Sequence, residues 1–220
     1  MSKRSDPIFA RIARRYDRIN RILSFGQERK WRSLGVRQLE PGIVLDLGCG
    51  TGDTDFEGRT VIGIDPVVEM LALSPVAATA VAVGESLPVR DGSLDGVFSA
   101  FVFRNLTSVD ETLAEIGRVL RPGAAAVIVD LGRPTNRALR ALHRLGTAVV
   151  LPLVGLLFAG APGEYWYLHK TLDSLPPPEE LYADRDLSLE LVWRSGLFGF
   201  VYGVRVRKPP AAEAREPEAA

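Results

Sequence analysis

The sequence is poor in cysteine and histidine, has no surplus of either charge and lacks a long apolar run. Its single cysteine, Cys49, excludes a disulfide within the chain and suits a reducing compartment, so a cytoplasmic location is expected. Its two histidines, His143 and His169, do not make a ligand cluster, and no metal site is expected. Lys+Arg and Asp+Glu both number 27, so the net charge is zero. Nucleic-acid binding asks for a basic surface, and no nucleic-acid partner is expected. The longest apolar stretch, AVVLPLVGLLFAGA from Ala148 to Ala161, falls short of the roughly 20 residues a membrane span needs and is broken by Pro152 and two glycines. It reads as an element that covers or builds a site. The opening Met-Ser-Lys-Arg-Ser-Asp has no signal-peptide pattern, and internal repeats are absent. What remains is 220 residues, 46% apolar and 25% charged, enough for one globular domain with its own core.

Apolar spacing divides that domain into elements. Ile8, Ile12, Ile19, Ile22 and Leu23 recur at helical intervals, with Arg11, Arg14, Arg15, Arg18 and Arg21 between them. This predicts a basic amphipathic helix packed on the domain, its arginines in water or against an anionic membrane surface. Short apolar runs at Ile43–Leu47, Thr60–Ile64, Ala80–Val83, Leu94–Phe101 and Ala124–Leu131 read as buried parallel strands. Thr107–Leu120 reads as a helix stopped by Arg121-Pro122-Gly123. Leu187–Trp193 and Phe198–Val206 alternate and read as an antiparallel pair. From Pro209 the tail PPAAEAREPEAA is expected to be disordered. Strands alternating with helices imply an α/β fold with right-handed crossovers.

The strongest local signal is LDLGCGTG, Leu45 to Gly52, directly after the first strand. Gly48, Gly50 and Gly52 allow a sharp turn and close approach of a ligand to the main chain. Asp65 ends the second strand, where a carboxylate accepts hydrogen bonds from ribose hydroxyls. It can equally cap the turn before Pro66. A nicotinamide site competes for this pattern, but it wants Gly-x-Gly-x-x-Gly, and the third glycine here comes one residue early. A ligand with a positive sulfonium and a charged amino-acid end would suit the acidic Asp46 and needs no pyrophosphate site.

The segments DLGCGTGD, GIDPVVEML, GESLPVRDGSLD, FRNLTSVDETLAEIGRVLRPGA and VDLGRP together resemble class I S-adenosylmethionine-dependent methyltransferases. With IFARIARRYDRINRILSFGQERKWR, Arg104-Asn105 and LPLVGLLFAGAPGEYWYLHKTLDSLPPPEEL, they are similar to the demethylmenaquinone methyltransferases and their ubiquinone-pathway relatives. The resemblance covers nearly the whole chain except the tail. It implies a Rossmann-like class I methyltransferase, a mostly parallel seven-stranded sheet with an antiparallel C-terminal strand. The single domain would span residues 1–208, with helical residues 1–40 covering the site. The implied cofactor is S-adenosyl-L-methionine. Asp46, Gly48, Gly50 and Thr51 would hold its methionine part and ribose, Asp65 the ribose hydroxyls, and Glu85 and Ser86 the adenine. Ala100 matches a cofactor-contacting position, and Tyr16 could present a ring or hydroxyl to the sulfonium or simply pack.

Three departures from the family are visible. Glu85 stands where Asp or Asn is usual, and Ala100 where Ser occurs. Only Gly48 to Arg59 join the first two strands, about the minimum for a parallel crossover. The family has a full helix there, so the cofactor wall is expected to be thinner.

The implied reaction is carbon methylation of a prenylated quinol ring, demethylmenaquinol to menaquinol. Arg104 and Asn105, after the fourth strand, would stabilise the developing oxyanion, or else form a loop ion pair and a helix-start turn. Asp130 is as well suited to a structural as to a functional role. Cys49 reads as a loop filler rather than a nucleophile. The stretch 148–161 with Tyr165, Trp166 and Tyr167 is the expected place for the prenyl tail, a core helix or a dimer contact. A peripheral membrane contact and a homodimer are further expectations. Two rival functions stay open: methylation of another small or lipidic acceptor, and a non-catalytic S-adenosylmethionine-binding partner subunit, the latter motivated by the short crossover.

Overall fold

Five apolar runs become parallel neighbours, the central ones because a strand buried on both sides needs cover from both, while the run at 78–81 is an exposed edge. The computed structural model describes residues 6–134, 136–154, 172–173, 175–182 and 186–211. Its strands are β1 (Ile43–Leu47), β2 (Thr60–Asp65), β3 (Ala78–Val81), β4 (Leu94–Ala100), β5 (Leu120–Leu131), β6 (Ser188–Ser195) and β7 (Val201–Arg207). They form a seven-stranded sheet in the order β3-β2-β1-β4-β5-β7-β6. β1 to β5 run parallel, and β7 is antiparallel to both β5 and β6. The expected sheet, with its antiparallel C-terminal strand, is therefore what the chain forms. The order reverses between β1 and β4, and the carboxyl ends of these two strands flank the crevice where such sheets take ligands.

The helices among the described residues are α1 (Asp6–Leu23), α2 (Glu28–Val36), α3 (Val68–Leu71), α4 (Val109–Val119), α5 (Arg137–Val154) and α6 (Pro178–Leu181). Arg11, Arg14, Arg15, Arg18 and Arg21 of α1 are all exposed. α1 ends where Phe25 and Gly26 take positive φ (53° and 74°), and the chain reverses into α2. Ser108 caps α4 by accepting from Glu111 N at 3.2 Å.

Alternation along the strands builds two cores. On one face Val44, Phe98, Val127 and Val129 pack with Trp31, Val36 and Phe56. On the other, Leu45, Leu47, Val97, Ala126 and Ile128 pack with Leu113, Ile116 and Val119 of α4.

Between β1 and β2 there is no helix, only turns. Phe56 reaches in from this loop and is 6% exposed; its ring stands edge-on to Phe98 at 5.6 Å. The neighbouring helix α2 supplies what the loop lacks. Arg29 bonds Asp53 at 3.0 Å, Arg32 bonds Thr54 at 2.9 Å and Arg37 bonds Glu57 at 3.2 Å. Arg59 donates back to the carbonyls of Leu39 (2.7 Å) and Glu40 (3.1 Å). Exposed pairs of this kind contribute little each, so Phe56 carries most of the anchoring.

Three boundaries differ from expectation. β3 starts and ends two residues early, because Asp65–Val81 is its last pair with β2. Beyond it the chain turns, with Gly84 pressed on Thr112 so closely that a Cβ would lie 2.9 Å from that side chain. Arg121-Pro122-Gly123 is not a helix stop but lies inside β5, since Leu120 is already extended (ψ 140°) and bridges Leu94. The final strand begins only at Val201, after a short 3-10 turn at Leu197–Gly199. The expected disordered tail lies, from residue 212 onward, outside the described residues.

Removing the Phe56 ring leaves a cavity under a loop with no helix to collapse into it. Phe56→Ala should destabilise the fold by about 3–5 kcal/mol, checked by chemical denaturation. Arg37→Ala, which breaks one exposed pair, should cost less than about 1 kcal/mol.

Candidate active site

The three loop glycines do different jobs. All have positive φ: 72° at Gly48, 55° at Gly50 and 74° at Gly52. A Cβ on Gly48 would lie 2.3 Å from Val102, and one on Gly52 2.5 Å from Ser74 Oγ, so these two pack. Around Gly50 a Cβ would meet nothing within 4 Å, so that backbone is open to a ligand. Gly48 N and Cys49 N both donate to Ile64 O, at 2.7 and 3.0 Å, which ties the loop to β2.

Asp65 completes the tie. Its Oδ2 accepts from Gly50 N and its Oδ1 from Val67 N, each at 2.9 Å. It holds the turn after β2 as expected, although the N-cap position of α3 is occupied by Val67. From α1, Asp17 accepts the Thr51 hydroxyl at 2.7 Å.

These residues surround one cavity. Tyr16, Gly48, Gly50, Thr51, Asp65, Glu85, Ala100 and Asn105 all line it, with Phe9 of α1 alongside Tyr16. Phe9 and Tyr16 meet edge-to-face at 5.8 Å, over Ala13, Val67 and Met70. Glu85 is engaged with protein: its Oε1 accepts from Thr107 N (2.7 Å) and Ser108 N (3.0 Å). Ser86 is exposed and not part of the wall, because the turn at Gly84 carries it past the cavity.

Asp46 is also absent from the wall. Strand alternation points it, like Val44, toward α2, where it is 1% exposed. Burial pushes its carboxyl up to about 7, against the lowering effect of Arg32 and with a further rise from Asp65. Its Oδ2 has no hydrogen-bond partner. Burial also raises the Cys49 thiol, which fits a filler against Gly63 rather than a nucleophile.

Arg104 faces a second cavity, which shares Tyr16 and Phe101 with the first. Arg104 and Asn105 sit on a 3-10 turn, Phe103–Asn105, and so point to different sides. Arg104 pairs with Asp130 at 2.5 Å, the two side chains 10% and 0% exposed. Asp130, left open by the sequence, is thus the counter-ion that orients this guanidinium. Phe101 stands between the cavities with φ at 67°, a strained setting for a bulky residue. It is held by its N–H to Val129 O at 2.7 Å and by Arg32 over its ring at 5.3 Å. Trp31 contacts Phe101 and Phe200 edge-on, at 6.4 and 5.8 Å.

Glu28, Trp31 and Arg32 were not singled out by sequence reasoning. Their i, i+3, i+4 spacing in QERKWR places them on one face of a helix, and that was the available signal. The aromatic triplet Tyr165–Tyr167 and residues 155–161 of the apolar stretch lie outside the described residues.

Sheet order, glycine loop and the carboxylate ending β2 define a class I S-adenosylmethionine-dependent methyltransferase. Two solved structures share the fold. One is the methyltransferase in a complex with the Haloferax volcanii Trm112 methyltransferase activator, with a TM-score of 0.63, 17% identity and coverage of 91% of this chain and 97% of that one. Another is a SAM-dependent methyltransferase from Thermotoga maritima, with a TM-score of 0.58, 18% identity and coverage of 92% and 99%.

The chain belongs to the ubiE/COQ5 methyltransferase family, whose model matches residues 1–185. It is 36% identical over 193 residues to the demethylmenaquinone methyltransferase of Thermus thermophilus, covering 80% of this chain and 88% of that protein. It is 37% identical over 196 residues to the ubiquinone/menaquinone biosynthesis C-methyltransferase UbiE of Geotalea uraniireducens, covering 80% and 83%. The first cavity fits the cofactor of this class: an open main chain at Gly50 and Asp65 at the end of β2.

The raised Asp46 carboxyl gives a stability signature. The folded chain binds this proton more tightly than the unfolded chain, whose value is near 3.8, so wild type loses stability as pH rises through the window up to about 7. Asp46→Asn should gain thermal stability relative to wild type across that window and hold a constant advantage above it. Melting scans at pH values spanning the window check this.

Proposed function

We propose that this protein transfers the methyl group of S-adenosylmethionine to a ring carbon of a prenylated quinol, converting a demethylmenaquinol to a menaquinol. The observation that carries this reading is the pair of cavities that meet at Tyr16 and Phe101. One offers the glycine loop and Asp65. The other is walled by Trp31, Phe101 and Phe200 and carries the Arg104 guanidinium, a setting for a flat ring with a developing oxyanion. The names of the relatives from Thermus and Geotalea agree with it.

When bound, S-adenosylmethionine supplies an electrophilic methyl group. In this proposal Gly50 and Thr51 take its methionine end, with Asp46 buried beneath the loop. Asp65 takes the ribose and the Glu85 turn borders the adenine. Tyr16 and Phe101 set the angle at which ring carbon and methyl meet, since in-line transfer depends on alignment. Arg104 stabilises the oxyanion. A guanidinium is a donor and not a base, and Asp130 fixes its direction. Asn105, on the cofactor side of the turn, steadies the wall between the cavities.

The short crossover motivated a non-catalytic reading. That motive weakens because α2 and Phe56 hold the loop in place of the missing helix, leaving Gly50 open and Asp65 in contact.

No described helix is long and apolar enough to cross a membrane. A prenylated substrate still has to be met at a bilayer, and the protein carries apolar surface near the second cavity. Phe25 is 89% exposed, and Leu142, Leu145 and Val149 on α5 are 59%, 68% and 53% exposed. With the α1 arginines these suit peripheral contact with an anionic bilayer better than a homodimer seam, which would favour uncharged surroundings.

Calorimetry with S-adenosylmethionine and turnover of a short-chain demethylmenaquinol test the activity. Arg104→Lys, which keeps the charge paired with Asp130 but loses the planar fork, should lower kcat about 100-fold while cofactor affinity stays as in wild type. Equal loss of both removes Arg104 from the chemical step. In flotation, the protein should rise with vesicles rich in anionic lipid, and Phe25→Ser with Leu145→Ser should abolish this. Recovery of wild-type protein only in the pellet counts against membrane contact.

A further inference from the structure

Three buried side-chain atoms around the second cavity have no hydrogen-bond partner: Glu28 Oε1, Trp31 Nε1 and Arg104 Nε. A buried polar group left unpaired is costly, and three on one cavity ask for a ligand that pairs them. The set is one acceptor and two donors. A hydroquinone complements it, because one hydroxyl can donate to the carboxylate while the ring's oxygens accept from the indole and guanidinium.

Glu28 opens α2 and is 5% exposed. Ser24 donates its hydroxyl to Oε2, and Arg21 Nε lies 3.9 Å from Oε1, too far for a hydrogen bond. Resting on the quinol reading above, we propose that Glu28 is the proton acceptor of the methyl transfer. The phenolic O–H breaks and its proton passes to the Glu28 carboxylate. A ring-carbon electron pair forms the new C–CH3 bond as the S–CH3 pair stays on sulfur. The ring C–H proton then moves to the phenoxy oxygen, restoring the aromatic quinol. The proton on Glu28 leaves to solvent by way of the Ser24 hydroxyl, so one proton is released per methyl transferred.

The charged and titratable groups around this carboxylate are Arg21 and Tyr16 of α1, its neighbour Arg29, Arg104 after β4, and His143 of α5. His143 is the competing base, but its Nδ1 meets Arg133 at 3.4 Å. That ring nitrogen is already engaged, whereas Glu28 Oε1 has no hydrogen-bond partner.

The experiment compares wild type, Glu28→Gln and Glu28→Asp at matched thermal stability, using a short-chain demethylmenaquinol under reducing conditions. Glutamine keeps an acceptor oxygen but takes no proton. Affinity for a non-reacting quinol analogue, read from tryptophan fluorescence, should therefore stay as in wild type, and so should cofactor affinity. The plateau of kcat/KM should fall about 100-fold. The deficit should shrink as pH approaches about 10, where a phenol ionises unaided. Glu28→Asp should restore part of the rate. A Glu28→Gln profile that matches wild type at every pH overturns the inference and leaves the quinol reading intact. So does a loss that is the same at every pH and accompanied by weaker analogue binding, which marks a positioning role. Wild-type protein that binds S-adenosylmethionine yet does not methylate the quinol overturns both.

Discussion

The carboxylate of Asp65 is the fastening on which the site depends. Gly48 to Arg59 must return the chain from the top of β1 to the bottom of β2 without a helix, so the loop has no hydrogen-bond ladder of its own. Asp65, nearly buried at the end of β2, accepts one N–H from Gly50 and one from Val67. It thereby fixes the glycine loop and the turn before α3 with a single side chain. Charge-assisted bonds to main-chain N–H groups are among the stronger polar contacts. They leave the Gly50 backbone open on its far side.

Everything else is arranged around that fixed loop. α1 lies across it through Asp17 and Thr51, and brings Tyr16 over the point where the two cavities meet. α2 and the residue that follows it do two jobs. Arg29, Arg32 and Arg37 brace the loop. Trp31 and Glu28 line the second cavity. The division explains why a crossover at the minimum length does not by itself dismantle the site.

The second cavity is held by a different device. Phe101 keeps a left-handed backbone at the end of β4, and the cost is offset by the bond to Val129 and the stacking of Arg32. That kink lets the following 3-10 turn send Arg104 to one cavity and Asn105 to the other. The buried Asp130 then holds Arg104 in a fixed direction. A buried pair of this kind adds little net stability; what it adds is orientation.

The sequence alone determined the sheet and its class, because the runs at β1, β2, β4 and β5 are apolar on both faces and separated by turn chemistry with few alternatives. It also marked the glycine loop and Asp65, since positive φ and a strand-ending carboxylate leave local signatures. Alternation along β1 could have shown that Asp46 shares the face of Val44, opposite Leu45 and Leu47, but only the position of α2 shows that this side is buried. The tertiary structure alone decided which residues share a cavity. Ser86 and Glu85 are neighbours in sequence, yet the turn at Gly84 separates them. Arg104 and Asn105 are neighbours, yet a tight turn splits them between two sites. Glu28, far from both in the chain, meets Arg104 only because α2 packs beside β4. Such meetings depend on long-range packing, and no local pattern encodes them.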